Sequence, residues 1–445
     1  MALKAQTYKG MKDYLPREMR LRQYIVATLT SIFERYGFEP MQTPIVEYEE
    51  TLKGKLGDDE KLIYRLQYGD DRLALRYDQT VSLARVVGQY PSALSFPFRR
   101  YQVGPSYRGE RPQRGRFREL YQADIDIVGA AGPLADAEII AVVVECLRAL
   151  GFARPGPDET PGFRVLLNHR EALSGLARVA GVPEGDAAGV YRAIDKFDKI
   201  GVAGVREELL KLGVQTNATE RILDFLQIEG EPPEVLRAMC DVLRADQRGS
   251  AAVDNLEAIV RHLGDMGTPA EYIAVTPRLA RGLSYYTGSV FEAVIEQPPI
   301  GSLLGGGRYD DLIGIFAGRK VETVGTAFGI ERLQIVMSEL GIGPADTSAA
   351  QVFVTIFGPE LAGEALGLAH ELRAAGIRTV TALQPEKLGK QFREADAKGI
   401  PYALVIGPDE VAAGTVGVKD LRSGEQRSVP RAEVIAAVGG ATADQ

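Results

Sequence analysis

Apolar residues recur at helical spacing over 17–36, where Leu21, Ile25, Leu29, Ile32 and Tyr36 share one face and Gly37 ends the run. The segment FEPMQTPIVEY that follows is strand-like but contains Pro44, which has no ladder N–H, so it is expected at a sheet edge or a bend. From Tyr64 onward YRLQ, LALRY, RRYQVG and RELYQADIDIVG alternate with polar turns, the pattern of antiparallel strands. A helix over 135–150 and the turn-rich connector ARPGPDETPG come next. Residues 170–262 change to a helical pattern in EALSGLARVAGV, AAGVYRAIDKFDKI and PPEVLRAMCDVLRAD. SVFEAVIE returns to strand, the Gly-rich GSLLGGGRYDDL reads as a shaped turn, and a helix begins near Gly329 in IERLQIVMSEL. Beyond a linker at 341–350, VFVTIFG, a helix around 364–375, RTVTAL, a helix around 386–398 and YALVIG alternate, which predicts an α/β module with a partly parallel sheet. The tail GGATADQ is expected to fray.

Composition narrows this picture in a few places. The 445 residues suit about two to four domains. A hydrophobic content of 45% and a charged content of 25% are ordinary for a globular chain. With 52 Lys+Arg against 60 Asp+Glu, a net of −8, the chain is no wholesale polyanion coat binder, although a local basic site stays open. Cys146 and Cys240 are too few for a disulfide framework or a Cys-rich zinc module, and both read as structural. His169, His262 and His370 lie far apart, so no side-chain metal site is expected. The start MALKAQTYKGMKDYLP has no apolar core of a secretory signal, and the apolar run Ile139–Val144 is closed by Glu145, far short of the roughly 20 residues of a membrane span. A cytoplasmic protein without membrane association is the expectation.

Four segments carry candidate chemistry. Residues 98–118 hold seven arginines against one acid, Glu110, a local net of +6, with Tyr101, Tyr107 and Phe117 interleaved. Guanidinium groups recognise phosphate in a bidentate way and aromatic rings stack on bases, so this stretch suits a nucleotide or RNA; a solvated basic loop has the same composition. LARGLSYYTGSVFEA (279–293) places an arginine, two glycines and a tyrosine pair before a strand, as a turn shaped against a ligand or as an ordinary hairpin. GSLLGGGRYDDL with TVGTAFGIERL (301–333) matches neither the Walker nor the Rossmann spacing, but its glycines permit close backbone approach and its helix could aim Arg332 at phosphate. In LRYDQT, Asp78 and Thr80 precede an apolar helix, either as caps or as acceptors for an ammonium group. No Ser/His/Asp nucleophile constellation stands out.

In this order and over nearly the whole chain, these segments resemble the histidyl-tRNA synthetase family of class II aminoacyl-tRNA synthetases. GFEPMQTPIVE is similar to the first class II motif, 98–128 to the second and VGTAFGIERL to the third, while LARGLSYYTG is similar to the signature specific to the histidine enzymes. QPEKLGKQFREADAKGIPYALVIGPDEVAAGTVGVKDL resembles the anticodon-binding domain. The resemblance implies an α+β catalytic domain with an antiparallel sheet flanked by helices (1–168 and 263–340), a helical insertion (169–262), the linker (341–350) and a C-terminal α/β anticodon-binding domain (351–445). It implies that L-histidine is activated with ATP to the adenylate and then passed to the 3′ end of histidine tRNA, with Mg²⁺ on ATP and a homodimer as the working form. Arg108, Arg281 and Arg332 are the implied catalytic residues. Arg108, Glu110, Arg116, Phe117 and Arg332 are implied to bind ATP, and Asp78, Thr80, Gln122, Asp126, Arg281, Tyr285 and Tyr286 to bind histidine. Ser284 and Leu120 depart from the family pattern, which has an acid and a phenylalanine there. The alternative is a regulatory or RNA-sensing paralogue without charging activity; Arg108, Arg281, Arg332 and the 351–440 segment argue against it.

Overall fold

The structure, a computed structural model, describes residues 4–53, 62–153, 162–280, 286–344 and 348–439. The chain divides into two compact units, Met1–Asp13 with Arg22–Gly343, and Tyr14–Leu21 with Pro344–Gln445.

In the first unit, α1 (Pro16–Arg35, from Arg22 on) buries Ile25, Leu29, Ile32 and Phe33 at the spacing the sequence predicts. Phe33 packs on Tyr101 and Phe328 with ring centroids 5.7 and 5.8 Å apart. The strand-like FEPMQTPIVEY splits into β1 (Glu39–Pro40) and β2 (Val46–Tyr48), which end up at the edges of two different sheets, and Pro44 lies in neither. After α2 (Glu49–Lys53) come β3 (Arg65–Tyr68) and β4 (Asp71–Leu75), which complete a three-stranded sheet in the order β2-β4-β3. Helix α3 (Thr80–Gln89) leads to the long hairpin of β5 (Phe98–Tyr107) and β6 (Glu119–Val128), and α4 (Pro133–Ala149) follows. β7 (Phe163–His169) precedes six helices: α5 (Arg170–Val179), α6 (Glu184–Ile194), α7 (Phe197–Lys211), α8 (Thr216–Leu226), α9 (Pro232–Leu243) and α10 (Gln247–Asp265). The chain then returns through β8 (Ile273–Val275), β9 (Ser289–Ile295), β10 (Ser302–Arg308), α11 (Asp310–Ala317), β11 (Thr323–Gly329) and α12 (Ile330–Leu340).

The main sheet has eight strands in the order β1-β5-β6-β11-β10-β9-β7-β8, antiparallel except for the pairs β1/β5 and β7/β8. The glycine stretch expected as a turn is strand β10, and tertiary packing explains why glycine is needed there. A Cβ on Gly306 would meet the Gly325 carbonyl oxygen at 2.5 Å and the Phe291 ring at 2.7 Å. A Cβ on Gly307 would lie 2.9 Å from the ring of Tyr286. Arg308, at the end of β10, reaches α4, with Nη2 2.5 Å from Asp136 Oδ2 and both groups buried.

The second unit contains β12 (Val352–Val354), α13 (Ala362–Ala374), β13 (Thr379–Thr381), α14 (Leu388–Ala397) and β14 (Tyr402–Val405), the alternation seen in the sequence. Past α15 (Pro408–Ala413) the chain adds β15 (Thr415–Asp420) and β16 (Gln426–Pro430), antiparallel strands beyond those expected, and ends in α16 (Val434–Gly439). The sheet order is β13-β12-β14-β15-β16, with β12 parallel to both neighbours. Its core includes Phe353, Leu368, Leu372, Leu404 and Val416.

Candidate functional site

One face of the main sheet becomes a floor because of what its strands present. Along β6, Gln122, Asp124 and Asp126 alternate onto one side. Across β5 they lie opposite Gly104, Gln102 and Arg100; across β11 they lie opposite Gly329, Ala327 and Gly325. The rows continue onto β10, where Gly305 faces Ala327 and Gly307 faces Gly325. Polar groups on two strands therefore abut small residues on the next two. Above the small residues opens a cavity of about 620 Å³.

Nine of the residues predicted from the sequence line this cavity: Asp78, Thr80, Arg108, Glu110, Arg116, Phe117, Gln122, Tyr286 and Arg332. Leu120 lines it as well, at the position where the family carries phenylalanine. Arg281, Tyr285 and Ser284 lie outside the described residues. Asp126 lies beneath the lining residues, buried against Arg100 and Tyr309.

The cations of the cavity are oriented by backbone carbonyls. Arg108 Nε donates to Tyr77 O at 2.9 Å. Arg332, on the first turn of α12, donates from Nε to Gly115 O at 3.2 Å and from Nη1 to Ser302 O. Glu331 beside it also lines the cavity, paired with Arg22 at 2.7 Å and accepting the Tyr121 N–H. Arg116 lies 3.5 Å from Glu110.

The dense arginine run is therefore not one solvated basic loop. Arg99 pairs with Glu138, Arg100 with Asp126 and Arg114 with Glu339, while Arg118 donates to Glu110 O and Tyr8 Oη. Of the seven, Arg108 and Arg116 line the cavity.

Acidic and phenolic groups share the cavity with these cations. Asp78 Oδ1 accepts the N–H of Thr80 at 3.1 Å and of Val81 at 3.2 Å, so Asp78 does cap α3. It also lines the cavity, and enclosure by protein raises its carboxyl, with the charge of Arg108 opposing. Burial likewise raises the Tyr286 hydroxyl, reinforced by the charges of Asp126 and Asp78. Asp124 is pushed up to about 8, first by burial and against the pull of Arg100. Asp126 is raised by burial and drawn back by Arg100, whose Nη2 lies 2.7 Å from Oδ2, and by the Tyr309 hydroxyl, which donates to Oδ1. Gln122 Oε1 is buried with no hydrogen-bond partner among the described residues.

Several residues of the site escaped the sequence reading. Asp124 was within reach, because strand alternation puts it on the same face as Gln122 and Asp126. Arg100, Tyr309, Arg170 and Glu292 were not. Arg170 and Glu292 line the cavity, and Arg170 Nη1 donates to Tyr286 O at 2.8 Å from the start of α5. Local sequence carries no signal for such long-range meetings. His169 caps α5, its Nδ1 accepting the Glu171 N–H, and burial lowers its ionisation to about 4. No group of three or more His, Cys, Asp or Glu residues able to hold a metal occurs among the described residues, and none of their helices is long and apolar enough to cross a membrane.

Comparison with known proteins agrees with this geometry. The family model for histidyl-tRNA synthetase matches residues 10–333, and the model for an anticodon binding domain matches residues 351–440. The histidine–tRNA ligase of Aeropyrum pernix is 39% identical over 97% of this chain and 97% of its own length. That of Gloeobacter violaceus is 38% identical over 96% of each chain. The crystal structure of histidyl-tRNA synthetase from Nostoc sp. PCC 7120 superposes with a TM-score of 0.89 at 33% identity, covering 99% of this chain and 100% of its own.

Proposed function

The chain belongs to the histidyl-tRNA synthetase family, and we propose that it charges histidine tRNA in two steps carried out in this cavity. A histidine carboxylate oxygen attacks the α-phosphorus of ATP, the α–β bridging P–O bond breaks, and pyrophosphate leaves. A hydroxyl of the terminal tRNA ribose then attacks the acyl carbon, and AMP leaves. The observation that carries this reading is that three cations, Arg108, Arg116 and Arg332, line a single cavity together with Asp78, Gln122 and Tyr286.

Arg108 bridges the α-phosphate and the substrate carboxylate; its Nε bond to Tyr77 O fixes the plane of its fork. Arg332 takes the γ-phosphate and Arg116 adds charge along the phosphates. Glu110 contacts adenine, with Phe117 and Leu120 against the ring face. Fixed guanidinium groups of this kind stabilise charge as it develops, and holding both reactants in line removes much of the entropic barrier. The histidine ammonium goes to Asp78, Thr80 and Gln122. Asp126 and Tyr286 read the imidazole, whose ring N–H and ring nitrogen offer hydrogen bonds that an apolar isostere cannot supply. Arg281, at the developing α-phosphate charge, and Tyr285, beside histidine, complete the assignment by the family resemblance.

Mg²⁺ fits the donor set as a passenger on the nucleotide. Such ions keep several waters and need one or two carboxylates besides the phosphates, and Glu292 is a buried acid of the cavity lining. Bound there, the ion supplies neutralisation of phosphate charge. A homodimer is supported by the exposed Ile45, Val46 and Tyr48 next to Pro44, apolar surface of the kind that symmetric pairing covers. The reaction is placed in the cytoplasm. Residues 169–262 act as an insertion between the two parts of the catalytic domain, 1–168 and 263–340, and are assigned to the tRNA acceptor arm; 341–350 is a linker, and 351–445 reads the anticodon.

The test is histidine-dependent ATP–pyrophosphate exchange followed by charging of histidine tRNA. Exchange without charging points to a paralogue that uses the adenylate elsewhere. Asp126→Ala is expected to lose adenylation far more than ATP binding, and exchange at the wild-type level in that variant removes Asp126 from the site.

A further inference from the structure

Asp126 is the acid assigned above to the imidazole, and the inference here rests on that assignment. Its surroundings are those of a group whose charge is already spent. Arg100 faces it in register from β5, Nη2 to Oδ2 2.7 Å, with side chains 0% and 4% exposed. From the loop before α11, Tyr309 donates its hydroxyl to Oδ1. On the β11 side stands Gly325, which brings no charge. Two residues back on β6, Asp124 is pushed up to about 8 and is therefore mostly protonated at neutral pH. The other titratable neighbours are Asp78, with Arg108 beside it, and Tyr286, whose hydroxyl is raised and stays neutral. Behind this group lies Arg76, a buried cation that donates to Pro105 O, Thr43 O and Thr43 Oγ1, none of them charged.

Whether Asp126 is ionised or protonated, its pair with Arg100 carries zero or positive charge, never negative. An imidazolium brought against this pair would be a buried cation without a counter-ion, which is among the costliest arrangements in a protein interior. A neutral ring still has an N–H for Asp126 and a ring nitrogen for a phenol. We infer that this site takes histidine with a neutral ring, and that Arg100 imposes the choice as a positioning residue by cancelling the charge of the acid that reads it.

Free imidazole side chains ionise near pH 6.5, so the neutral fraction falls about tenfold between pH 7.5 and 5.5. The experiment measures kcat/KM in ATP–pyrophosphate exchange for histidine and for its 1,2,4-triazole analogue, whose ring stays neutral over this range. Taking the ratio cancels titration of the protein itself, including Asp124. For the wild-type protein the ratio of histidine to analogue is expected to fall about tenfold from pH 7.5 to 5.5. A ratio that rises or stays flat overturns the inference, whereas absence of any histidine-dependent exchange at pH 7.5 overturns the proposed function itself. Arg100→Met should flatten or invert the slope, and Arg100→Lys should restore it. A soluble, active Arg100→Met protein with the wild-type slope removes Arg100 from the choice, and the wild-type comparison stands even if that variant fails to fold.

Discussion

Gly325→Ala tests whether the imidazole reader is held by packing. Gly325 faces Asp126 across the β6/β11 ladder. The added methyl carbon would overlap the Asp126 carboxylate, with its Cγ at 2.5 Å and the Ile125 carbonyl oxygen at 2.7 Å. Ordinary carbon contacts need about 3.5–4.0 Å, so roughly 1 Å of movement is required. If Asp126 swings aside it leaves Arg100 alone in the interior, and breaking a buried pair costs about 3–5 kcal/mol. If β11 shifts off β6 instead, the strain is that of an overpacked core, about 1–3 kcal/mol. The second route is the cheaper one, so folding should weaken by about 1–3 kcal/mol. Either route moves Asp126 and the β10–β11 floor of the site relative to each other by about 1 Å, and misplacement of that size costs on the order of 100-fold in rate. The assay is ATP–pyrophosphate exchange with histidine varied at saturating ATP, where kcat/KM for histidine should fall about that much. Gly305→Ala on β10 is the stability control, since its Cβ meets nothing within 4 Å, and its melting temperature should match wild type. A Gly325→Ala protein with wild-type kcat/KM for histidine would falsify the packing argument.

Arg332→Lys loses the planar fork that spans Gly115 O and Ser302 O; KM for ATP should rise about tenfold or more while histidine affinity holds, and an unchanged KM for ATP takes Arg332 off the phosphates. Asp136→Ala leaves the buried Arg308 guanidinium with only the longer 3.4 Å ion pair to Asp310, so the urea midpoint should drop by the equivalent of about 3 kcal/mol, the low end for breaking a buried pair, and a wild-type midpoint would contradict the pairing. His169 ionises at about 4 in the folded chain, below its unfolded value near 6.5. Its neutral form is therefore favoured by folding, and the stability it contributes is complete above pH 6.5 and lost as pH falls through 4. His169→Asn keeps a capping acceptor without a titrating ring, so stability should vary less between pH 6.5 and 4; equal slopes would place the acid sensitivity elsewhere.

Much of the scaffold could be read from local patterns because local physics sets it. The apolar face of α1, the alternating β5/β6 hairpin and the strand–helix alternation after 351 all follow from periodicity. What could not be read depends on residues far apart in the chain. Gly305, Gly306 and Gly307 look like a turn, and only the arrival of Phe291, Gly325 and Tyr286 explains why Gly306 and Gly307 on this strand lack side chains. Arg100 sits in a run of arginines that suits a nucleotide or RNA loop as well as a solvated one, yet it is fully buried because β5 pairs in register with an acid on β6. Asp78 is the cap that one reading of the sequence proposed, and it also lines the cavity.

The small sheet β2-β4-β3 has a consequence for handling the protein. Among the described residues neither β2 nor β3 pairs with a further strand, and Val46, Tyr48, Leu66 and Tyr68 are exposed on them. Open edges carrying apolar side chains are templates for adding foreign strands. Two such edges on one sheet allow growth in both directions, which builds filaments where a two-fold pairing would close. Arg65 is the exposed charge on these two edge strands to resist this. A variant designed to dissociate the chain from a partner would therefore first show up as turbidity and lost yield, and its specific activity should be read only on material that has passed a sizing column.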